Sequence, residues 1–376
     1  MKPCLIGLCI GFKRFSKKLC HRETQRRTEI HGEVLFLRAS LRFSVTQFYM
    51  EKINVGIIGG AGYTGGELLR ILLNHPFVNV AFTHSKSQAG KPVWTTHTDL
   101  LGDTDLTFSG EEPTTLLAQE GLDALFLCSG HGASATFMAE HDVSDDITLI
   151  DLSADFRDEH RDFVYGLPEL QRERIQEGTR IANPGCFATS IQLALLPLAR
   201  AGKLTNDVQV SAITGSTGAG QALVPTTGFT WRNNNVSIYK AFTHQHLAEI
   251  RQSLTQLDPD FKAAINFVPY RGDFTRGIMA NVYTPFAGSL EEAKQLYRTY
   301  YENHPFTHVS DTPVDVKQIV NTNKCLLHLE VHDGQLLITS VIDNLTKGAS
   351  GQAVQNMNLV FGLPEDTGLR LKSVAF

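Results

Sequence analysis

Residues 183–190 read Asn-Pro-Gly-Cys-Phe-Ala-Thr-Ser, and the strongly apolar run Ile191 to Ala199 follows. Pro184 suits the start of a helix and not its interior, and Gly185 allows the tight turn before it. Cys186 is thereby placed where a turn becomes a helix. A thiol there feels the positive end of the helix dipole and several free backbone N–H groups, which favour the nucleophilic thiolate. The spacing fits equally a buried cysteine that behaves as a small apolar residue.

A second stretch with chemistry in it lies far upstream and tips the balance towards the nucleophile. Ile53 to Ile58 reads as a buried strand that runs into Gly59-Gly60-Ala61-Gly62-Tyr63-Thr64-Gly65-Gly66 and then into an apolar helix from Glu67 to Leu73. The glycines fit G-x-G-x-x-G on Gly60, Gly62 and Gly65, or G-x-x-G-x-x-G on Gly59, Gly62 and Gly65. Either register lets backbone, including Tyr63 and Thr64, approach a dinucleotide pyrophosphate at a helix N-terminus. The strand Val78–Thr83 ends in Thr83-His84-Ser85-Lys86-Ser87, with no carboxylate for a ribose 2′-hydroxyl and one cation. That favours NADP(H), with Ser85 and Ser87 at the ribose end.

Composition narrows the class. With 42% hydrophobic and 19% charged residues, the chain reads as a globular protein of two domains, and it has no apolar run long enough to span a membrane. The net charge of −5 gives no case for nucleic-acid binding. The charge is uneven: residues 1–49 hold ten Lys/Arg against three Asp/Glu, and the remainder 24 against 36. The cations of the extension mostly follow its apolar run Cys4–Phe12, and no small-residue cleavage site is present, so it does not read as a secretory signal. It could be an organellar leader; our expectation is that translation starts at Met50 and that the upstream stretch is not part of the mature protein. Widely spaced cysteines without CxxC point to a reducing, cytoplasmic setting. His244-Gln245-His246 lacks a third ligand nearby, so no metal is expected.

Strands alternating with helices from Ile53 to Ala182 predict a Rossmann-type doubly wound parallel sheet, with the connector Gln88–Glu120 as polar turns. The glycine turn, Ser129–Ser134, Ser153 and Asn183–Cys186 all fall at carboxyl ends of strands, where ligands of such sheets bind. Beyond Cys186, strands separated by turns predict a second, α+β catalytic domain. The loop Thr214–Gly220 offers backbone donors at Ser216, Gly218 and Gly220 to phosphate or cofactor. The expected division is 50–183 for the cofactor, completed by a C-terminal helix within 345–376, and 184–344 for catalysis.

Gly59–Gly65, Ser87–Lys91, Asp151–Arg157, Gly166-Leu167-Pro168-Glu169, Asn183–Thr189, Thr214–Gly220, His244–Ile250, Arg276-Gly277-Ile278 and Asp343–Gly348 resemble, in order, the motifs of the N-acetyl-gamma-glutamyl-phosphate reductase family. The resemblance runs from about Glu51 to the C-terminus. It implies NADPH-dependent reduction of an acyl phosphate to the semialdehyde, in arginine biosynthesis, by a homo-oligomer. By that resemblance Cys186 is the nucleophile, His246 the acid/base partner and His244 a neighbouring site residue. The anionic substrate would be met by Ser153 and by the guanidinium groups of Arg157 and Arg276, and Asn344 would bond the nicotinamide amide. One departure is visible: Leu247-Ala248 stands where the family commonly has Thr-Pro.

Overall fold

β-Branched runs closed by glycine and proline build the first sheet. Its strands are β1 (Ile53–Ile58), β2 (Val78–His84), β3 (Phe108–Ser109), β4 (Ala124–Leu127), β5 (Thr148–Asp151), β6 (Val164–Tyr165) and β7 (Arg180–Ala182) in the computed structural model, which describes residues 51–374. They lie in the order β3-β2-β1-β4-β5-β7-β6, every neighbouring pair parallel. An order that reverses at β1 is that of a doubly wound dinucleotide-binding sheet. The crossovers carry α1 (Tyr63–Leu72), α2 (Pro113–Leu117), α3 (Ala133–Glu140) and α4 (Pro168–Glu177). Both faces are covered. Leu68, Val354 and Met357 pack with Val55 and Phe126 on one side, and Phe137 and Phe156 pack with Leu125 and Leu149 on the other.

The second sheet holds β8 (Val208–Thr214), β9 (Ser237–Ile238), β10 (Ile265–Arg271), β11 (Ile278–Pro285), β12 (Thr307–Ser310), β13 (Cys325–His332) and β14 (Gln335–Ile342). It is mixed, in the order β12-β13-β14-β11-β8-β10-β9. Its helices are α5 (Cys186–Arg200), α6 (Phe229–Arg232), α7 (His246–Leu257) and α8 (Leu290–Tyr301). Leu193, Leu196 and Tyr297 fill the core against Val210, Ile278 and Ile338. Pro197 lies inside α5 and has no N–H for the carbonyl of Leu193; the hydroxyl of Tyr301 donates to that carbonyl at 2.6 Å instead.

After β14 the chain makes a π-helical turn, Thr346–Ser350, and enters α9 (Gly351–Val360). Gly348 N donates to Asp343 O at 2.9 Å and Ser350 N to Leu345 O at 2.8 Å, the five-residue spacing of a π turn. Every residue of α9 is buried, its polar ones included. Asn356 donates to Gly166 O at 2.9 Å, and Asn358 Oδ1 pairs with His75 Nε2 at 3.1 Å.

The expected architecture is present, with local differences, among them helix α4, whose nearly all-polar sequence shows no apolar stripe. The connector Gln88–Glu120 contains β3 and α2, too short for periodicity to reveal. β6, β9 and β12 were likewise not expected, being only two to four residues long. The last helix opens as a π turn. The readings of residues 1–49 and of Met50 lie outside the described residues. Among the described residues no helix is long and apolar enough to cross a membrane, and no cluster of three or more His, Cys, Asp or Glu could hold a metal.

Candidate active site

β1 and β2 run parallel, so their carboxyl ends meet, and the N–H groups of Gly59 and Gly60 both donate to His84 O, at 3.1 and 3.0 Å. Gly59 takes φ +82°, a turn that side chains disfavour. A Cβ on Gly65 would fall 2.6 Å from Gly60, whereas at Gly62 only ordinary contact is met. Gly59, Gly62 and Gly65 therefore take the turn, ligand-approach and helix-packing places, which selects the G-x-x-G-x-x-G register. Gly60 is needed too, since its Cβ would meet Thr83 Oγ1 at 1.9 Å. His97, from the connector, clamps the turn by bonding Gly60 O at 2.8 Å. Tyr63 and Thr64 open α1, where first-turn N–H groups have no helical acceptor. Ser85 and Ser87 follow β2 with hydroxyls 3.4 Å apart, and Lys86 there is exposed.

Cys186 is the first residue of α5 and is half-buried. His244 and His246, just before and at the start of α7, have ring centroids 4.5 Å apart and are both edge-on to Phe187, the residue after Cys186. The backbone N–H of His246 donates to His244 Nδ1 at 3.2 Å. Glu249, one turn further, organises the corner. It accepts from Gly185 N at 3.0 Å, Tyr165 OH at 2.8 Å and Arg157 NH1 at 3.0 Å, and its Oε1 lies 3.8 Å from His246 Nε2. A Cβ at residue 185 would fall 2.4 Å from His246 Nε2 and 2.7 Å from both Arg157 NH1 and Glu249 Oε1. Gly185 is there because three functional side chains converge on it.

Burial and the helix start act on the thiol in opposite directions. Burial pushes the Cys186 thiol up to about 11, although the N–H of Phe187 and the charge of Arg157 pull the other way. Burial, followed by Arg157 and His244, holds the His246 imidazolium well below its ordinary value; burial, then Lys240 and Arg271, bring His244 to about 4. Burial thus favours the uncharged forms of both the Cys186 thiol and the His246 imidazole. Site-resolved iodoacetamide labelling of Cys186 should accelerate steadily from pH 7 to 10. A plateau already reached at pH 7 would mean a preformed thiolate.

The segment after β14 joins the two stretches. A Cβ on Gly348 would lie 2.8 Å from Cys186 Cβ, Ala349 O accepts from Asn183 at 3.0 Å, and Ser350 Oγ donates to Thr64 O at 2.8 Å. Thiol and glycine turn flank one short stretch of backbone. The loop Thr214–Gly220 is tied to it as well, because Asn344 donates to Thr217 Oγ1 at 3.0 Å.

Several expected ligands are occupied by the fold. Ser153 donates to Asp151 Oδ2 at 2.7 Å and accepts from Asp155 N at 3.0 Å, making a buried turn. Arg157 spends a nitrogen each on Asn183 O, Glu249 and Leu152 O. Arg276 pairs with both oxygens of Asp343, at 3.0 and 3.1 Å, and with Glu67 of α1 at 2.9 Å. Asn344 accepts from Gly277 N at 2.7 Å, so its amide staples two loops. The N–H groups of Ser216 and Gly218 are likewise taken, by Phe274 O and Gly215 O. Ser153, Arg157, Arg276 and Asn344 are thus each held in place by bonds within the fold. Arg276→Met should therefore cost stability, by about 3 kcal/mol, because Asp343 stays buried without its counter-ion while Glu67 keeps only Arg70. A thermal melt reads this, and an unchanged Tm with a raised substrate KM would support the ligand role.

Two further cations lie near the histidine pair. The guanidinium of Arg271 lies 4.6 Å over the Tyr239 ring, whose centroid is 5.8 Å from that of His244, and Lys240 bonds Gln245 at 2.9 Å. Neither arginine nor lysine carried a sequence signal, and Glu249 carried only its position three residues after His246.

Two family models cover the chain: the NAD binding domain of semialdehyde dehydrogenase matches residues 54–178, and the semialdehyde dehydrogenase dimerisation domain matches 186–344. Among solved structures, aspartate semialdehyde dehydrogenase II of Vibrio cholerae complexed with ASA superposes with TM-score 0.64 at 18% identity, over 83% of this chain and 98% of that one. The enzyme of Candida albicans with NADP gives 0.63 at 14%, over 82% and 98%. These two show a shared fold. The N-acetyl-gamma-glutamyl-phosphate reductase of Christiangramia forsetii is 56% identical over 86% of this chain and 100% of its own length, and that of Phocaeicola vulgatus 54% over the same shares. At that identity over that length, the chain belongs to the N-acetyl-gamma-glutamyl-phosphate reductase family.

Proposed function

We propose that the chain reduces N-acetyl-L-glutamyl 5-phosphate to N-acetyl-L-glutamate 5-semialdehyde with release of phosphate, in arginine biosynthesis, using NADPH and a thioester on Cys186. The observation that carries this reading is the stretch Gly348–Ser350, which touches the thiol residue at one end and the glycine turn at the other. In this reading 50–183 with 345–376 hold the cofactor through Gly59, Gly60, Gly62, Tyr63, Thr64, Gly65, Ser85 and Ser87. Residues 184–344 carry the thiol and meet the substrate. The open approach at Gly62 and the free first turn of α1 fit a pyrophosphate.

The residues divide the work as follows. His246, neutral at pH 7, takes the Cys186 proton as the sulfur attacks the acyl carbon. The C–S bond forms as the C–O bond to phosphate breaks, and His246 hands its proton to the departing phosphate. When bound, NADPH supplies the hydride that converts the acyl group to aldehyde oxidation level. The N–H groups at the start of α5 face the charge that develops on the acyl oxygen. Loss of the aldehyde returns the sulfur as thiolate, which regains a proton from solvent. Glu249, braced by Arg157 and Tyr165, keeps its carboxylate 3.8 Å from His246 Nε2.

We also place the enzyme in a homo-oligomer of the reducing cytoplasm. Leu223, Phe229, Trp231 and Phe242 are exposed on one excursion between β8 and β10, next to the edge strand β9, where a second copy could cover them. A solution mass of one chain would remove that reading. The reaction is best tested in reverse with N-acetylglutamate semialdehyde, NADP and phosphate, following NADPH absorbance. Phosphate-dependent NADPH formation is expected with this substrate, and little with aspartate semialdehyde or NAD. A preference for aspartate semialdehyde would overturn the substrate assignment.

A further inference from the structure

Glu169 of Gly166-Leu167-Pro168-Glu169 and Lys347 of Asp343–Gly348 have no task in the reaction as written above. The structure brings them together. Lys347 is fully buried, and its Nζ lies 2.8 Å from Glu169 Oε1, a carboxylate equally withdrawn from solvent. Gln355 of α9 accepts from the same ammonium at 3.0 Å, and Thr307 donates to the same carboxylate oxygen at 2.9 Å. Removing both charges from water is costly, and an apolar pair of similar volume would stabilise a fold at least as well. Stability alone therefore does not account for a lysine here.

Its place in the chain does. Lys347 is the second residue of the π turn, and π turns are frequent at functional sites. Its immediate neighbour Gly348 abuts Cys186, and Ser350 holds Thr64 in the glycine turn. The side chain runs instead to the first turn of α4, an element of the first sheet's crossovers. With the reductase reading as its premise, we propose that the Lys347–Glu169 pair is a strut that sets the separation of the Cys186 sulfur from the dinucleotide turn, making Lys347 a positioning residue for hydride transfer.

The test is Lys347→Met alone and Lys347→Met with Glu169→Gln, the second removing both charges while keeping an acceptor for Thr307. Reverse-direction kinetics are measured with ordinary and aldehyde-deuterated semialdehyde, alongside a melt, NADPH titration and Cys186 labelling. A misplacement of about 1 Å costs up to about a hundredfold in rate, so kcat of the double variant should fall about tenfold or more. Its semialdehyde KM, NADPH affinity and labelling rate should stay within about threefold of wild type, and the isotope effect on kcat should rise as hydride transfer becomes limiting. A folded double variant with wild-type kcat and isotope effect would make the pair merely structural and overturn the strut. If neither variant folds, Ser350→Ala cuts the other end of the strut. The same kcat loss at constant KM supports the proposal, and unchanged kinetics sink it. Failure of the wild-type protein to turn over would instead count against the reductase reading, so the two failures are distinguishable.

Discussion

Cys186→Ser should lower kcat by about four orders of magnitude or more while NADPH binding stays within about twofold. The hydroxyl fits the same half-buried position at the start of α5, and the His246–Glu249 corner is untouched, so the loss reports on chemistry. Serine is the sharper choice than alanine because it keeps a proton for His246 to take. A hydroxyl is far less acidic than a thiol already pushed up to about 11 by burial, so the imidazole cannot activate it. Stopped-flow fluorescence of NADPH and steady-state turnover would be read on the same preparation. Turnover within tenfold of wild type would eliminate the thioester and require direct reduction of the acyl phosphate.

The second large effect is expected at His246. His246→Gln should cut kcat by about 10²–10⁴-fold, the usual worth of a positioned general base, with substrate KM little moved. Because the His246 imidazolium is held well below its ordinary value, the wild-type acid limb of kcat/KM should lie below about pH 6.5. As pH falls through the depressed value the ring charges, the base is lost and the rate drops; above it the rate is flat on this limb. The variant should lack that limb. A variant that keeps both rate and limb would pass the proton role to His244. His244→Gln separates the two, since His244 accepts the backbone N–H of His246 and so also holds it in place.

Much of this was legible before any coordinates. Pro184-Gly185 ahead of an apolar run specifies a helix start by local sterics alone, and it puts the thiol at the first position of α5. Gly59–Gly66 between a β-branched strand and an apolar helix is equally local. The partners of the two arginines lie beyond any local reading. Arg276 finds Glu67 and Asp343 209 and 67 positions away, and Arg157 finds Glu249 92 positions away. Charge type and a flanking glycine cannot distinguish a guanidinium reserved for substrate from one reserved for the fold. Helix-end electrostatics at Cys186 can be read from sequence, whereas the desolvation of its thiol depends on the tertiary packing around it. Helix α4 escaped notice because Glu-Leu-Gln-Arg-Glu-Arg is nearly all polar, its burial falling on Glu169 and Gln171.

The bond between Ser350 and Thr64 spans 286 positions of chain, and that between His75 and Asn358 spans 283. Contacts this distant close late in folding, after the large loops they enclose have lost their freedom. The first sheet can pair its strands before α9 docks, but Cys186 gains its Gly348 neighbour only when the final crossing is made. Until then the thiol is unshielded and open to oxidation. Refolding should therefore recover backbone structure ahead of activity, and a reductant should improve the yield of the second more than the first.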